Sequence, residues 1–137
     1  MMPAMNRAKL ALIALVVLIV AFGIGYALGA SGRRTAEQAL SGTEQQIDIA
    51  TARGLLLQAR VSLYNVNFGD AQRQLQDALA PLTRVRQRFQ KDGNDSAVAN
   101  LTAALEHAQQ AQTLAGKLDQ AANTQAAQAV QALEAAK

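Results

Sequence analysis

Residues 10–30 read LALIALVVLIVAFGIGYALGA, a run of 21 positions with no charge and only Tyr26 as a strong hydrogen-bonding side chain. Few structures accommodate such a run. As a helix it covers roughly 30 Å, the hydrocarbon thickness of a bilayer. A helix on the surface of a water-soluble domain would carry a polar stripe, and this run has none. Arg7 and Lys9 precede it and Arg33 and Arg34 follow it, placed to reach the two headgroup layers, with Tyr26 near one interface. The run therefore reads as a transmembrane helix. The competing reading is a cleaved secretion signal, which the basic start and Ala27-Leu28-Gly29 resemble. The apolar core of such signals is about 7–15 residues, shorter than this one, so an uncleaved anchor is expected.

Lys and Arg are tied at two on each flank, and the terminal amine with a short basic tail (1–9) tilts the orientation toward a cytoplasmic N-terminus. The expected location is a bacterial inner membrane, crossed once, with the C-terminal domain in the periplasm. Inside the run, Ala21, Gly25 and Gly29 stand four apart, and small residues at that spacing let another helix backbone come close. Glycine is also common in membrane helices generally. Used for packing, the face would meet a second copy or a larger membrane partner.

Beyond residue 30 the composition turns helical. The chain holds 30 Ala and 16 Gln, both good helix formers, against 4% aromatics and two Pro. The expected fold is all-α: one transmembrane helix, a juxtamembrane hinge at 31–34 or a helix that runs straight through it, and a water-facing domain over 35–137. That domain is expected to be a small antiparallel bundle of about four helices in two hairpins, over 35–67, 70–91, 95–121 and 124–136. Two apolar stripes share the first of these helices. One is Leu40, Ile47, Ala50, Gly54, Leu57, Val61, Tyr64 and Phe68; the other is Ile49, Ala52, Leu56, Ala59, Leu63 and Val66. Together they suit a helix touching two neighbours. Asn67-Phe68-Gly69-Asp70 reads as a turn with Asp70 as the next N-cap, Pro81 as a kink or brief break, and Lys91–Asp95 as a loop in which Asn94 or Asp95 caps the third helix. Asn123-Thr124 reads as a break before a short last helix. Large apolar side chains are few, so the domain should be marginally stable alone and lean on a partner.

The net charge is +3, of which Arg7 and Lys9 supply two; from Ser31 onward 11 basic residues face 10 acidic ones. A nearly neutral domain has little to steer phosphate, so nucleic acid is not an expected partner. The absence of cysteine excludes disulfides, thiolate metal sites and cysteine nucleophiles.

Residues 52–82 resemble one tetratricopeptide-type hairpin, through Leu55 and Ala59, the turn Asn67-Phe68-Gly69-Asp70-Ala71, and Leu75, Ala78 and Leu79. The resemblance covers about a quarter of the chain, and no 34-residue repeat follows. In that family the concave face of at least about three repeats binds peptides, so the resemblance implies architecture more than activity.

No catalytic constellation is legible. His107, the single histidine, sits beside Glu106 with no second ligand four residues away, and reads as a solvated surface residue. The Ser residues lack a nucleophile-elbow context, and no phosphate-binding Gly loop is present. Asp92, Asn94 and Asp95 lack the twelve-residue calcium pattern and read as a capping loop. No cofactor, metal or small-molecule substrate is expected. Arg84, Arg86, Arg88 and Lys91 form the one dense basic patch, a solvated face or a contact for anionic headgroups or an acidic partner. The function expected is that of a non-catalytic, single-pass accessory or structural subunit of a larger membrane protein complex, of the kind respiratory and photosynthetic assemblies carry. The alternative is a membrane-anchored adaptor that binds a soluble protein or peptide, and self-association fits either.

Overall fold

The computed structural model describes residues 7–137; within the first helix, the side chains at 7, 8, 10, 11, 23, 25 and 27–31 lie outside the description. The described residues form four helices and no strand: α1 (Arg7–Tyr64), α2 (Phe68–Lys91), α3 (Asp95–Gly116) and α4 (Ala121–Ala135). The chain divides into two compact units, 1–41 and 42–137, and α1 contributes residues to both.

In the first unit α1 exposes large apolar side chains at nearly every turn, among them Leu12, Val16, Ile19 and Phe22. The helix continues through 31–34, the second of the two forms expected there. A single Gly32 costs a helix only about 1 kcal/mol, too little to break it. Among the described residues no helix is long and apolar enough to cross a membrane.

The second unit is an antiparallel four-helix bundle. Its buried residues recur at alternating four and three: Ala52, Leu56, Ala59 and Leu63 on α1; Ala71, Leu75, Ala78, Leu82 and Val85 on α2. The same spacing holds for Ala97, Leu101, Ala104, Ala108, Ala111 and Ala115 on α3, and for Ala122, Ala126, Ala129 and Leu133 on α4 with its C-cap Ala136. This is the pattern of near-parallel helices packed side by side. Helix α3 packs on both α2 and α4. Helix α1 reaches α2 through Ser62–Gln74 and Asp48–Arg84, and α4 through Arg53–Glu134 and Arg60–Asn123. The four helices therefore close into a ring around one core. Thirteen of the 21 buried apolar residues are Ala, so the axes approach closely while few methylenes leave water.

The three connections share one design. Helices α1, α2 and α3 are each followed by a left-handed residue, Val66 (φ 60), Gly93 (φ 71) and Leu118 (φ 59) respectively. The next N–H bonds back across the end: Asn67 to Ser62 O (2.8 Å), Asn94 to Phe89 O (3.0 Å) and Asp119 to Leu114 O (3.0 Å). This is the Schellman closure, for which Gly is the favoured residue. Asn67 then caps α2 by accepting from the Asp70 N–H, and Asn94 caps α3 by accepting from the Ala97 N–H. The cap of α2 is thus Asn67 rather than Asp70. Asp70 instead accepts from the Asn67 amide and from Arg73. The last break falls at 117–120, earlier than Asn123-Thr124, because Leu118 takes the left-handed position. Helix α2 runs unbroken through the buried Pro81. The roughly 3 kcal/mol that an interior proline costs is outweighed by the long apolar stripe on either side of it.

Val66 and Leu118 carry strain that Gly93 does not. A branched or bulky residue in the left-handed region costs about 1–2 kcal/mol, and both side chains are exposed, so little packing offsets it. Val66→Gly and Leu118→Gly should each stabilise the bundle by roughly 0.5–1.5 kcal/mol, after allowing for the greater freedom of Gly in the unfolded chain. A urea-denaturation midpoint that is unchanged or lowered in both variants would contradict this geometry.

Candidate interaction surface

The basic cluster read from the sequence separates on folding. Asp48, on the bundle side of α1, is 7% exposed. It accepts from Arg84 Nε and Nη2 (3.1 and 2.6 Å to Oδ1) and from Arg88 Nη1. Arg88 also donates through Nη2 to Glu44 Oε2 at 3.2 Å. Arg84 and Arg88 stand four apart on α2 and so project from the same face. They clamp α1 to α2, with the Arg84 side chain still half-exposed. Lys91 is exposed and Arg86 half-exposed, the two members of the cluster outside this network. The Arg84 hydrogen bonds hold the Asp48 carboxyl below its ordinary value of 3.8, against burial, which acts the other way; Arg88 adds to the lowering. The residue that sequence reasoning missed is Asp48. The legible sign was one acid set between Ile47 and Ile49.

A second polar seam joins α1 to α4. Arg53 Nε lies 2.8 Å from Glu134 Oε1, an ion pair whose alignment falls short of a hydrogen bond. Lys137 Nζ donates to Glu134 Oε2 at 2.6 Å and is the main reason the Glu134 carboxyl sits below its ordinary value. His107 is half-buried rather than freely solvated, with Nδ1 2.8 Å from Gln125 Oε1 across the α3–α4 contact. The Asp92–Asp95 segment serves as turn and cap, and among the described residues no group of three or more His, Cys, Asp or Glu could hold a metal ion.

Of the proposed membrane packing face, Ala21 is exposed, while Gly25 and Gly29 lie outside the described side chains. The surface with distinctive character is the outward side of α1. Of the two stripes that share this helix, the one with Ala52, Leu56, Ala59 and Leu63 is buried. The other remains exposed: Ile47, Leu57, Val61 and Tyr64, the last at 81%. Within 42–137 every other large apolar side chain exposed to this degree belongs to a left-handed turn position, Val66 or Leu118. A shallow groove lined by Leu57, Arg60, Val61, Tyr64 and Asn123 runs beside the stripe. The exposed apolar groups of the bundle are thus concentrated on one helix face.

No family model matches the chain, and no curated protein or solved structure matches it either.

Proposed function

We propose that this chain is a non-catalytic, single-pass accessory subunit of a larger membrane protein assembly, anchored by residues 10–30, with its bundle docked on the assembly's exposed surface. The observation that carries this reading is the run over 12–22. It is helical throughout, every side chain in it is exposed, and nine of them are large and apolar. Leaving that many such groups in water costs on the order of 20 kcal/mol, more than a small domain's whole stability. Lipid removes the cost. The flanking Arg7, Lys9, Arg33 and Arg34 suit the two headgroup layers, and the proposed location remains a bacterial inner membrane with a periplasmic bundle.

The bundle supports the non-catalytic part. Its organised polar groups, Asp48 with Arg84 and Arg88 and Glu134 with Arg53, are engaged in joining helices to one another, a structural use of charge that fits a non-catalytic part. The adaptor reading has less support. It needs an open concave groove, whereas the α1–α4 links close the ring. Extraction in mild detergent followed by native size analysis tests the proposal. The chain is expected to migrate with an assembly several times its own mass; migration alone, or at no more than the mass of a small homo-oligomer, would sink it.

A further inference from the structure

We infer that the outward stripe of α1 between Ile47 and Tyr64 is a dimerisation seam, covered by the same stripe of a second, parallel copy of this chain. The spacing is that of a coiled coil. Ile47, Gly54 and Val61 are seven apart, as are Ala50, Leu57 and Tyr64, and the two series are offset by three. A seven-residue repeat keeps a seam turned toward a partner when two helices carrying the same repeat wind about each other. The bundle already occupies the opposite stripe, so this second repeat has no use inside the monomer. An identical chain supplies a matching repeat in register, as a two-fold symmetric contact requires.

The residue types select the geometry. β-Branched Ile47 and Val61 in one series with Leu57 in the other favour two parallel strands over larger assemblies. Gly54 has nothing within 4 Å of where a Cβ would stand, so no neighbour in the bundle requires it. Glycine inside a helix costs about 1 kcal/mol relative to Ala, and close approach of a second helix is what its missing side chain allows. The flanking charges agree. In parallel register Gln46 faces Thr51, Arg53 faces Gln58 and Arg60 faces Asn65 of the other copy, with no like charges opposed. Antiparallel pairing would instead bring the Arg53 and Arg60 positions against each other. A common anchor in one bilayer imposes the same parallel direction, and in that respect the inference rests on the proposed function.

The stripe over 47–64 spans fewer than three heptads, so the seam falls at the small end of the range for specific interfaces. Such a seam is weak between free domains and firm once a membrane concentrates and aligns the chains. The test therefore uses the full chain in native membranes. The chain is free of cysteine, so single substitutions report without background. Ala50→Cys and Leu57→Cys, on the seam, are compared with Gln87→Cys, exposed on α2. On mild oxidation the two seam variants should give a disulfide-linked band at twice the chain mass, at least about tenfold faster than the α2 variant, because only close, facing Cβ atoms can bridge. Val61→Arg added to Ala50→Cys should cut that rate severalfold while protease resistance of the bundle stays unchanged, since Val61 is exposed in the monomer. Equal rates at all three positions, or capture of a protein of another mass at 50 and 57, would overturn the dimer. A large assembly without the 50–50 link leaves the accessory reading standing and removes this inference. A 50–50 link without any larger assembly does the reverse.

Discussion

Leu101→Ala is expected to lower the stability of the bundle by about 3–4 kcal/mol, most of what a small Ala-rich core supplies. Leu101 is fully buried on α3, the helix that packs on both α2 and α4. Many of the side chains buried with it are Ala. Short side chains on rigid helices cannot swing in to fill a vacated leucine, so the cavity persists and the loss falls toward the upper part of the usual range. Leu57→Ala, on the outward stripe, is the matched control and should cost less than about 1 kcal/mol in a bundle fragment spanning 42–137. Urea unfolding followed by circular dichroism separates the two, with the slope unchanged if the transition remains two-state. Comparable losses at 57 and 101 would mean that the stripes have been assigned to the wrong sides of α1.

Replacing both Arg84 and Arg88 with Gln is the second large effect. It leaves the Asp48 carboxylate buried without its cations and should destabilise the bundle by about 2–3 kcal/mol at neutral pH. The lower part of the range for broken buried pairs applies because Arg84 is half-exposed and already partly solvated. The pH dependence gives the sharper reading. In the natural chain the folded Asp48 pKa lies below the ordinary 3.8, so its contribution is fully present above that value and is lost as pH falls through the folded pKa. In the double variant only burial remains, which raises the pKa, and the sign reverses. Relative to the natural chain, the variant should recover stability as pH is lowered from 7 toward 4. A stability difference that does not change with pH over that interval would show that Asp48 is not held by these two arginines.

The helical elements were legible because a four-three apolar spacing has one physical meaning wherever it recurs, and α2 and α3 follow it without interruption. Less legible was the division of labour on α1. Both of its stripes are apolar and both keep a helical period, so periodicity alone could not say which one faces the bundle. Asp48 decides it, since a buried acid belongs on the side where Arg84 and Arg88 can reach it, and that pairing spans 36 and 40 residues of sequence. For the same reason a basic patch compact in sequence reads as a surface site until its long-range partner is in place. The turn at Leu118 was hidden because neither Gly nor Asn occupies the left-handed position there, as Gly93 does in the preceding turn. His107 misled in a smaller way, for a histidine beside an acid on a polar face gives no hint of Gln125 across the α3–α4 contact.

The proposed function depends on the run over 10–30 being held in lipid. The direct measurement compares single-cysteine versions of the otherwise cysteine-free chain, Leu18→Cys in the run and Gln87→Cys on α2, in membranes washed at alkaline pH and in spheroplasts treated with a membrane-impermeant maleimide. The chain should remain with the washed membranes, with position 87 labelled from outside and position 18 labelled only after detergent is added. Release of the chain into the alkaline supernatant, together with labelling at position 18 without detergent, would contradict the anchored reading.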